Sequence, residues 1–281
     1  MRKFLCICLV VLLWQGCTSR QKVQLNCATF NMRYDNAADS LNNWRYRKDR
    51  IAQFVQERQL DVMGTQELLH SQYEQLKKLL PEYEGVGVAR DDGKEDGEYA
   101  AIFYRKERFE CLESSTFWLS ETPEVVGKAG WDAACVRIAT WAKLREKQSG
   151  EVFMVVNTHF DHEGTEARRQ SALLIIRKIQ ELAGNIPAIL TGDLNVDDES
   201  EAYRTITTNE FVLRDAHKIA DSVKGVNYSY HAFAMKPKEL CSKIDFVFVT
   251  PHFGILQSEV VEEVPTALLS DHNPQLVRMQ F

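Results

Sequence analysis

The stretch TGDLNVDD, residues 191–198, follows a short apolar run, Ile186–Leu190, that is typical of a buried strand. The first polar residues after the run are an acid, Asp193, and an amide, Asn195. Because side chains alternate between the two faces of a strand, we expect these two residues to share one face. For a single pair of this kind a turn is an equally good explanation, since Asp and Asn favour turns.

Other apolar runs also end on, or begin directly after, polar and titratable residues. These segments are FN (30–31), MGTQE (63–67), NTHFD (157–161), KID (243–245) and LSDH (269–272). His159 and Asp161 are expected to share a strand face by the same alternation. Turn chemistry does not explain six segments rich in carboxylates and imidazoles, so the sequence predicts that they converge at one edge of a sheet.

The order of the predicted elements indicates layered sheets. Strands are predicted at 23–30, 60–66, 84–88, 100–104, 109–119, 136–144, 152–157, 188–190, 244–249 and 276–281, and helices at 44–59, 69–80, 166–182 and 201–207. Strict alternation of strand and helix is absent between residues 83 and 157. The pattern therefore favours sheets covered by helices over a doubly wound parallel sheet.

Composition and charge narrow the class of protein. The chain has 281 residues, of which 44% are hydrophobic and 26% charged, which suits one globular domain, predicted over residues 23–281. The net charge is −6. General nucleic-acid binding usually requires a basic surface, so nucleic acid is not the favoured partner.

The N-terminus has the pattern of a secretion signal. Arg2 and Lys3 precede an apolar run, Phe4–Trp14, that is short for a membrane span. Residues 1–17 are predicted to be a signal peptide, with residues 18–22 as a tether, because Gly16-Cys17 resembles a bacterial lipobox whose cysteine is lipidated. An ordinary cleaved signal or an uncleaved anchor is the alternative. Each places the domain outside the cytoplasm, and the lipid anchor would be its contact with the membrane.

Four cysteines follow the signal region: Cys27, Cys111, Cys135 and Cys241. The sequence has no Cys-x-x-Cys pair that would suggest a zinc site. Each of the four lies in or beside a strand-like run, where small buried thiols are common. We therefore expect free thiols in the core.

Seven motifs together resemble the endonuclease/exonuclease/phosphatase superfamily. They are TFNMRY (29–34), GTQE (64–67), YAAIFYR (99–105), NTHFDH (157–162), TGDLNVD (191–197), SKIDFVFV (242–249) and SDHNP (270–274). The resemblance covers residues 23–281 and is closest to bacterial extracytoplasmic hydrolases. It implies a four-layer α/β sandwich, in which two mixed β-sheets pack face to face with helices on the outside. It also implies metal-assisted hydrolysis of a phosphoester.

The resemblance implies that Asn31, Glu67 and Asp271 hold the metal. Their hard oxygen donors suit Mg²⁺, with Mn²⁺ as the alternative. Arg33 stands where apurinic endonucleases carry an acid, which favours a site with one metal ion at Glu67 and argues against cleavage at abasic sites.

The same resemblance implies the residues that act on water and phosphate. Asp245 would orient His272, as acids fix the tautomer of histidine in other pairs. The proton of the attacking water would go to His272 or to Asp193, with His272 preferred. Asn195 would donate a hydrogen bond to a phosphoryl oxygen without competing for the metal.

Five further residues complete the candidate set. His159 would contact the phosphate, and Glu98 would pair with it, the alternative for Glu98 being a solvated loop acid. Arg137 would donate to the phosphate or form a structural ion pair. His231 would recognise the leaving group, and His162 would touch the substrate or face the solvent.

Three function classes remain open at this stage. The first is a monomeric phosphatase or phosphodiesterase that acts on a small or medium extracytoplasmic phosphoester. The second is a secreted nuclease, which the acidic charge disfavours. The third is a non-catalytic binding protein on the same fold, which the intact acid and histidine set disfavours.

Overall fold

The computed structural model describes residues 22–208, 213–262 and 268–281. The predicted signal peptide, residues 1–17, and all of the predicted tether except Lys22 lie outside these ranges. Within the described ranges, none of the helices combines the length and the apolarity that a membrane span requires.

The first sheet has seven strands and is mixed. Its strands are β1 (Gln24–Asn31), β2 (Val62–Gln66), β3 (Tyr83–Val86), β4 (Ile102–Arg105), β10 (Val223–Gly225), β12 (Gly254–Val260) and β13 (Gln275–Gln280). They lie in the order β10-β12-β13-β1-β2-β4-β3. The central strand β1 pairs in parallel with β2 and antiparallel with β13.

The second sheet has six strands and is also mixed. Its strands are β5 (Phe109–Trp118), β6 (Ile138–Glu146), β7 (Val152–His159), β8 (Ala188–Asp193), β9 (Arg214–Asp215) and β11 (Asp245–Val249). They lie in the order β5-β6-β7-β8-β11-β9. Strand β8 pairs in parallel with β7 and antiparallel with β11.

Four α-helices cover the sheets. They are α1 (Trp44–Glu57), α2 (His70–Leu79), α3 (Thr165–Ala183) and α4 (Glu201–Thr207). Asn43 caps α1 by accepting a hydrogen bond from the Arg45 amide, and Ser200 caps α4 by accepting one from the Tyr203 amide. Helix α3 ends at Gly184, whose φ of 56° favours glycine.

Among the described residues, three large hydrophobic clusters lie between the four layers. One packs α1 and α2 on the outer face of the first sheet. A second fills the space between the two sheets, with Val155 and Val247 facing Cys27 and Val62. The third packs α3 and α4 on the outer face of the second sheet. The prediction of a four-layer α/β sandwich is confirmed.

The inner faces of the sheets change from apolar to polar toward one end of the sandwich. On β1, β7 and β8 the inward residues are, in order, Leu25-Cys27-Thr29-Asn31, Phe153-Val155-Asn157-His159 and Ile189-Thr191-Asp193. The apolar residues hold the sheets together, and the last residue of each strand belongs to the candidate site. The polar end of the sandwich therefore carries the site on rigid strands.

Strand β12 was not predicted. Its sequence, GILQSEV, has apolar residues only at irregular intervals, and its pairing with β13 shifts register between Ile255 and Gln257. The irregular register breaks the alternation on which strand prediction depends. The four described cysteines are free, as expected, but only Cys27 is buried.

A buried arginine ties helix α1 to the loops beside the site. Arg47 is 0% exposed. Its guanidinium donates to the backbone carbonyl oxygens of Met32, Arg33, Asn42 and Leu269. These bonds connect Met32 and Arg33, which directly follow β1, with Leu269, which lies two residues before Asp271.

Replacing Arg47 with alanine is expected to lower the free energy of unfolding by about 3 kcal/mol, because several buried carbonyl groups lose a charged donor. Arg45→Ala on the exposed face of the same helix is the control and should change it by less than about 0.5 kcal/mol. Urea unfolding of both variants measures the difference. Equal losses would show that Arg47 does not hold these loops.

Candidate active site

The candidate site lies where strands of both sheets end. Asp193, the last residue of β8, is in register with His159 on β7 and with Asp245 on β11. From the first sheet, β1 ends at Asn31 beside Gln66 of β2. The sandwich therefore brings five strand ends to one edge, as the sequence predicted.

Asp245, His272 and Asp193 form a buried group. His272 Nδ1 donates to Asp245 Oδ2 at 2.8 Å, and its Nε2 lies 3.8 Å from Asp193 Oδ2. The Ser229 hydroxyl accepts from the Asp245 amide at 3.0 Å. Ligand atoms of Asp193, Asp245 and His272 lie within 4.8 Å of one another.

The pKa values of this group follow from burial and charge. Burial alone would lower the pKa of His272, but the carboxylates of Asp245, Asp193 and Asp271 outweigh it and raise that pKa to about 10. Burial and the neighbouring Asp245 raise the pKa of Asp193 to about 7. These neighbours favour the protonated form of the His272 imidazole, and Asp193 binds a proton more readily than an ordinary carboxylate does.

Asn31 links the two sheets across the site. Its Nδ2 donates to Glu67 Oε1 at 3.0 Å and to Asp193 Oδ2 at 2.9 Å. Its Oδ1 accepts from the Arg33 amide at 3.0 Å. The oxygen expected to bind a metal is thus engaged by the backbone, and the amide nitrogen faces the carboxylates. The metal-binding role of Asn31 stays a prediction.

Glu67 and Asp271 converge on one positive charge, the guanidinium of Arg33. Arg33 Nη1 lies 3.9 Å from Glu67 Oε2, and Arg33 Nε lies 3.9 Å from Asp271 Oδ2. Asp39 holds the guanidinium in place through two bonds of 3.0 and 3.1 Å. Two carboxylates that already face one cation are a donor set of the kind that Mg²⁺ or Mn²⁺ uses, so these residues fit a divalent ion.

His159 is held as a neutral imidazole. Asn195 Nδ2 donates to His159 Nε2 at 3.0 Å and to the Phe160 carbonyl at 2.9 Å. Burial lowers the pKa of His159 well below its ordinary value, and the neighbouring cations Arg137 and Arg90 act in the same direction. The proton of the neutral ring therefore sits on Nδ1, 3.8 Å from Glu98 Oε2.

Asn195 reaches the site by a different route from the one predicted. Strand β8 ends at Asp193, and Asn195 lies beyond it with a φ of 54°. Asp193 Oδ1 accepts from the Asn195 amide at 2.9 Å, which stabilises the turn. The expectation of a shared strand face was wrong, although both side chains do reach the site. Glu67 and Arg33 also have left-handed φ values, 65° and 56°, at a cost of about 1–3 kcal/mol each.

His159 and Asp161 do not share a face either. The Asp161 carboxylate accepts from the backbone amides of Cys135, Glu163 and Gly164. Burial raises the pKa of Asp161, but the amides outweigh burial and lower it to about 2. Asp161, Cys135 and His162 form a second group with clustered ligand atoms, but the amides already occupy the carboxylate. We assign Asp161 to holding the loop.

Glu98 and Arg137 belong to a cluster of charges behind His159. Arg90 Nη1 donates to Glu98 Oε2 at 2.7 Å, so Glu98 is not a solvated loop acid. Burial raises the pKa of Glu98, against the opposing attraction of Arg90. Arg137 is 6% exposed and lies 3.9 Å from Glu98 Oε2 and 3.7 Å from Asp161 Oδ2. Its Nε and Nη1 are buried beside these carboxylates and make no hydrogen bond among the described residues.

The two remaining histidines differ in position. The His162 side chain is 49% exposed, and its Nδ1 lies 3.2 Å from Arg137 Nη2. His231 is buried behind Asp271: its amide donates to the Asp271 carbonyl, and its Nδ1 accepts from the Ala234 amide. Burial, followed by the charge of His272, lowers the pKa of His231 to about 4. The substrate roles of both residues stay predictions.

Two residues of the site were missed by the sequence analysis. Arg90 and Glu98 lie at the two ends of one Asp- and Gly-rich loop, and the fold of that loop brings them together. Tyr230 packs against the His272 ring with 4.9 Å between centroids. It lies in the segment YSYHAF (228–233), where the sequence analysis singled out His231 with Phe233, and no local signal distinguished Tyr230.

The comparison with known proteins decides the family. The sequence model of the Endonuclease/Exonuclease/phosphatase family matches residues 28–272. The chain belongs to the endonuclease/exonuclease/phosphatase family. The resemblance read from the seven motifs is confirmed, and so is the fold that it implied.

Several members of this family are similar to the chain over most of its length. A solved family member from Bacteroides vulgatus is 61% identical, covers 92% of this chain and 99% of its own, and has a TM-score of 0.91. A mannosyl-6-phosphatase from Bacteroides thetaiotaomicron is 38% identical, with coverages of 92% and 100% and a TM-score of 0.86. Nocturnin of Drosophila melanogaster is 26% identical in an alignment of 241 residues that covers 74% of this chain. The chain spans 36% of the length of that protein.

Replacing Asp245 with asparagine is expected to lower the pKa of His272 by about 1 to 3, because the adjacent carboxylate stabilises the imidazolium. NMR titration of the histidine side chains in the presence of a chelator measures this change. Asp221→Asn, on an exposed loop, is the control and should leave the pKa in place. An unchanged pKa in Asp245→Asn would mean that the pair does not set the charge of His272.

Proposed function

We propose that the protein is a Mg²⁺-dependent hydrolase of a small extracytoplasmic phosphomonoester, such as a sugar phosphate. The observation that carries the proposal is the meeting of two sets of groups across the sheets. Asn31, beside Glu67, donates to Asp193, which lies 3.8 Å from the His272 imidazole. A site for a cation thus adjoins a site for water activation.

Each part of the reaction has a group in place. Phosphoester hydrolysis requires a neutralised phosphate, an activated water and stabilisation of the developing charge. Glu67 and Asp271 would hold Mg²⁺, which when bound would neutralise the phosphate. Asn195 would orient a phosphoryl oxygen by exchanging its Nδ2 bond to His159 Nε2 for one to the substrate, and the single proton of the neutral His159 ring would be a second donor that does not repel the metal.

The proton of the attacking water would go to the pair of Asp193 and His272. One water between Asp193 Oδ2 and His272 Nε2 can contact both, because these atoms are 3.8 Å apart. Asp245 would keep the imidazole oriented through its bond of 2.8 Å. While His272 is protonated, the Asp193 carboxylate would accept the proton of the water. If a bound cation lowers the pKa of His272, the neutral imidazole of His272 would accept the proton instead.

The substrate class rests on similarity and charge. The 38% identity with a mannosyl-6-phosphatase over the full length of that chain supports a sugar phosphate. The net charge of −6 argues against a polyanionic polymer as the substrate. Arg137, with two unbonded nitrogens in the described structure, would contribute a charge-assisted bond to the phosphate.

The cellular setting is part of the same proposal. Residues 1–17 would direct export, and Cys17 would carry the lipid that anchors a monomeric domain to the membrane. Labelling with a radioactive fatty acid in a bacterial host tests the anchor, and Cys17→Ser should abolish incorporation of the label.

A panel of phosphate esters with and without Mg²⁺ tests the activity on the protein that lacks residues 1–17. We expect phosphate release from sugar monoesters, and its loss with a chelator. Cleavage of oligonucleotides instead would favour the nuclease. No hydrolysis of any ester by the folded protein would favour a binding protein and contradict the proposal.

His272→Ala is expected to reduce kcat by about 10²- to 10⁴-fold, because proton transfer and charge stabilisation are lost together. His252→Ala, an exposed histidine beyond the opposite end of β11, is the matched control. Circular dichroism checks that both variants fold. Wild-type turnover in His272→Ala would overturn its assignment.

Glu67→Gln is expected to raise the Mg²⁺ concentration at half-maximal activity by at least about tenfold, because a charged ligand is lost. Glu107→Gln is the control, because it removes the same charge from an exposed residue away from the site. Titration of activity with Mg²⁺ measures the effect. Identical titration curves for the two variants would exclude Glu67 as a ligand.

A further inference from the structure

A layer of polar side chains joins the two sheets directly beneath the site. Gln66 Nε2 donates to Asn157 Oδ1 at 2.6 Å and to Thr29 Oγ1 at 3.2 Å. Thr191 Oγ1 donates to Asn157 Oδ1 at 2.9 Å. All four side chains are 0% exposed. We call Thr29, Gln66, Asn157 and Thr191 the polar layer.

Asn157 is the centre of the polar layer. Its Nδ2 donates to the carbonyl oxygens of Thr65 at 2.8 Å and of Ala101 at 3.0 Å, both in or beside the first sheet. With two bonds accepted by Oδ1, the amide makes all four hydrogen bonds available to it. A residue of the second sheet is therefore fixed to the first sheet in both position and orientation.

Gly64 shows how closely the sheets approach at this level. A Cβ at Gly64 of β2 would overlap Thr191 Oγ1 and Asn157 Oδ1. The close approach explains a glycine inside a strand, where it otherwise weakens packing. The distance from β2 to the strands β7 and β8 is thus set by hydrogen bonds and by the direct contact of the Gly64 backbone with the Asn157 and Thr191 side chains.

Each member of the polar layer lies next to a site residue along its strand. Thr29, Asn157 and Thr191 lie two positions before Asn31, His159 and Asp193, on the same inward faces, and Gln66 immediately precedes Glu67. A shift of one sheet relative to the other at the layer would move these site residues by a similar distance.

We propose that the polar layer, with Asn157 at its centre, positions the two halves of the active site relative to each other. One half is Asn31 and Glu67 on the first sheet, and the other is His159 and Asp193 on the second. The inference rests on the proposed hydrolase function for its kinetic consequence. Asn157 is a positioning residue that does not touch the substrate.

The physical reason is that hydrogen bonds are directional, whereas apolar contacts allow sheets to slide and repack. A buried residue with all its hydrogen bonds made fixes one arrangement of the elements that it joins, and Asn157 is such a residue, whereas Gln66 Oε1 has no partner among the described residues. Chemistry at a phosphoryl group is sensitive to such errors, because a displacement of about 1 Å lowers the rate by about 10²-fold.

Four variants test the proposal. Asn157→Ala removes the centre, and Thr191→Val removes one hydroxyl while keeping the shape. Thr191→Ser restores that hydroxyl and is the conservative rescue. Val155→Ala is the matched control, because Val155 is a buried residue of the same strand face, two positions before Asn157, and belongs to the apolar core.

Kinetics at a temperature well below each melting temperature is the first readout. Asn157→Ala and Thr191→Val are expected to lower kcat by about 10- to 100-fold with KM changed by less than about threefold. Thr191→Ser and Val155→Ala should keep wild-type kcat, although Val155→Ala melts at a lower temperature. Wild-type kcat in folded Thr191→Val, or an equal loss of kcat in Val155→Ala, would overturn the proposal.

Crystal structures of wild type, Thr191→Val and Val155→Ala are the second readout and do not depend on activity. The distance between the carboxylates of Glu67 and Asp193 should increase in Thr191→Val and stay constant in Val155→Ala. An unchanged distance in Thr191→Val overturns the positioning role. A wild-type protein that hydrolyses no ester overturns the proposed function alone, because the distances still report on the layer.

Discussion

At the polar end of the sandwich the two sheets lie close together. Hydrogen bonds join them there, and the absence of a side chain at Gly64 leaves the room that this close approach requires. Gly64 leaves room for Asn157, and Asn157 binds backbone carbonyls of the first sheet. Glu67, which is suited to hold a cation, directly follows β2 of the first sheet, whereas Asp193 and Asp245, which are suited to activate water with His272, lie on the second sheet. Their separation is therefore a property of the packing, and the direct bond of 2.9 Å between Asn31 and Asp193 depends on it.

Charge is distributed unevenly around this contact. On one side, acids that include Glu67 and Asp271 surround a single guanidinium, that of Arg33. On the other side, Arg90 and Arg137 flank a neutral imidazole and one glutamate. A divalent ion would relieve repulsion on the acidic side, and the positive charge on the basic side would attract a phosphate. A phosphate coordinated to a metal ion matches both sides at once.

The periods along the chain predicted layered sheets covered by helices, and the resemblance of seven motifs to a known family supplied the four-layer sandwich and the roles of the candidate residues. Asp193 and His159 stood out because apolar strands end on them, and Asp245 because a strand begins with it; the sheet order brings the three together. Asn195 needs a left-handed backbone that no local pattern indicates. Arg90 pairs with Glu98 across one irregular loop, which a pattern of alternating residues cannot reveal. Strand β12 was missed because its register is irregular.

The most direct test of the account is the position of a divalent ion, located by anomalous X-ray diffraction from a crystal soaked in Mn²⁺. The account predicts one strong peak about 2–2.5 Å from a Glu67 carboxylate oxygen, on the side that faces Asp193. A peak held by Asp193, Asp245 and His272 without Glu67, or one confined to Cys135, Asp161 and His162, would contradict it.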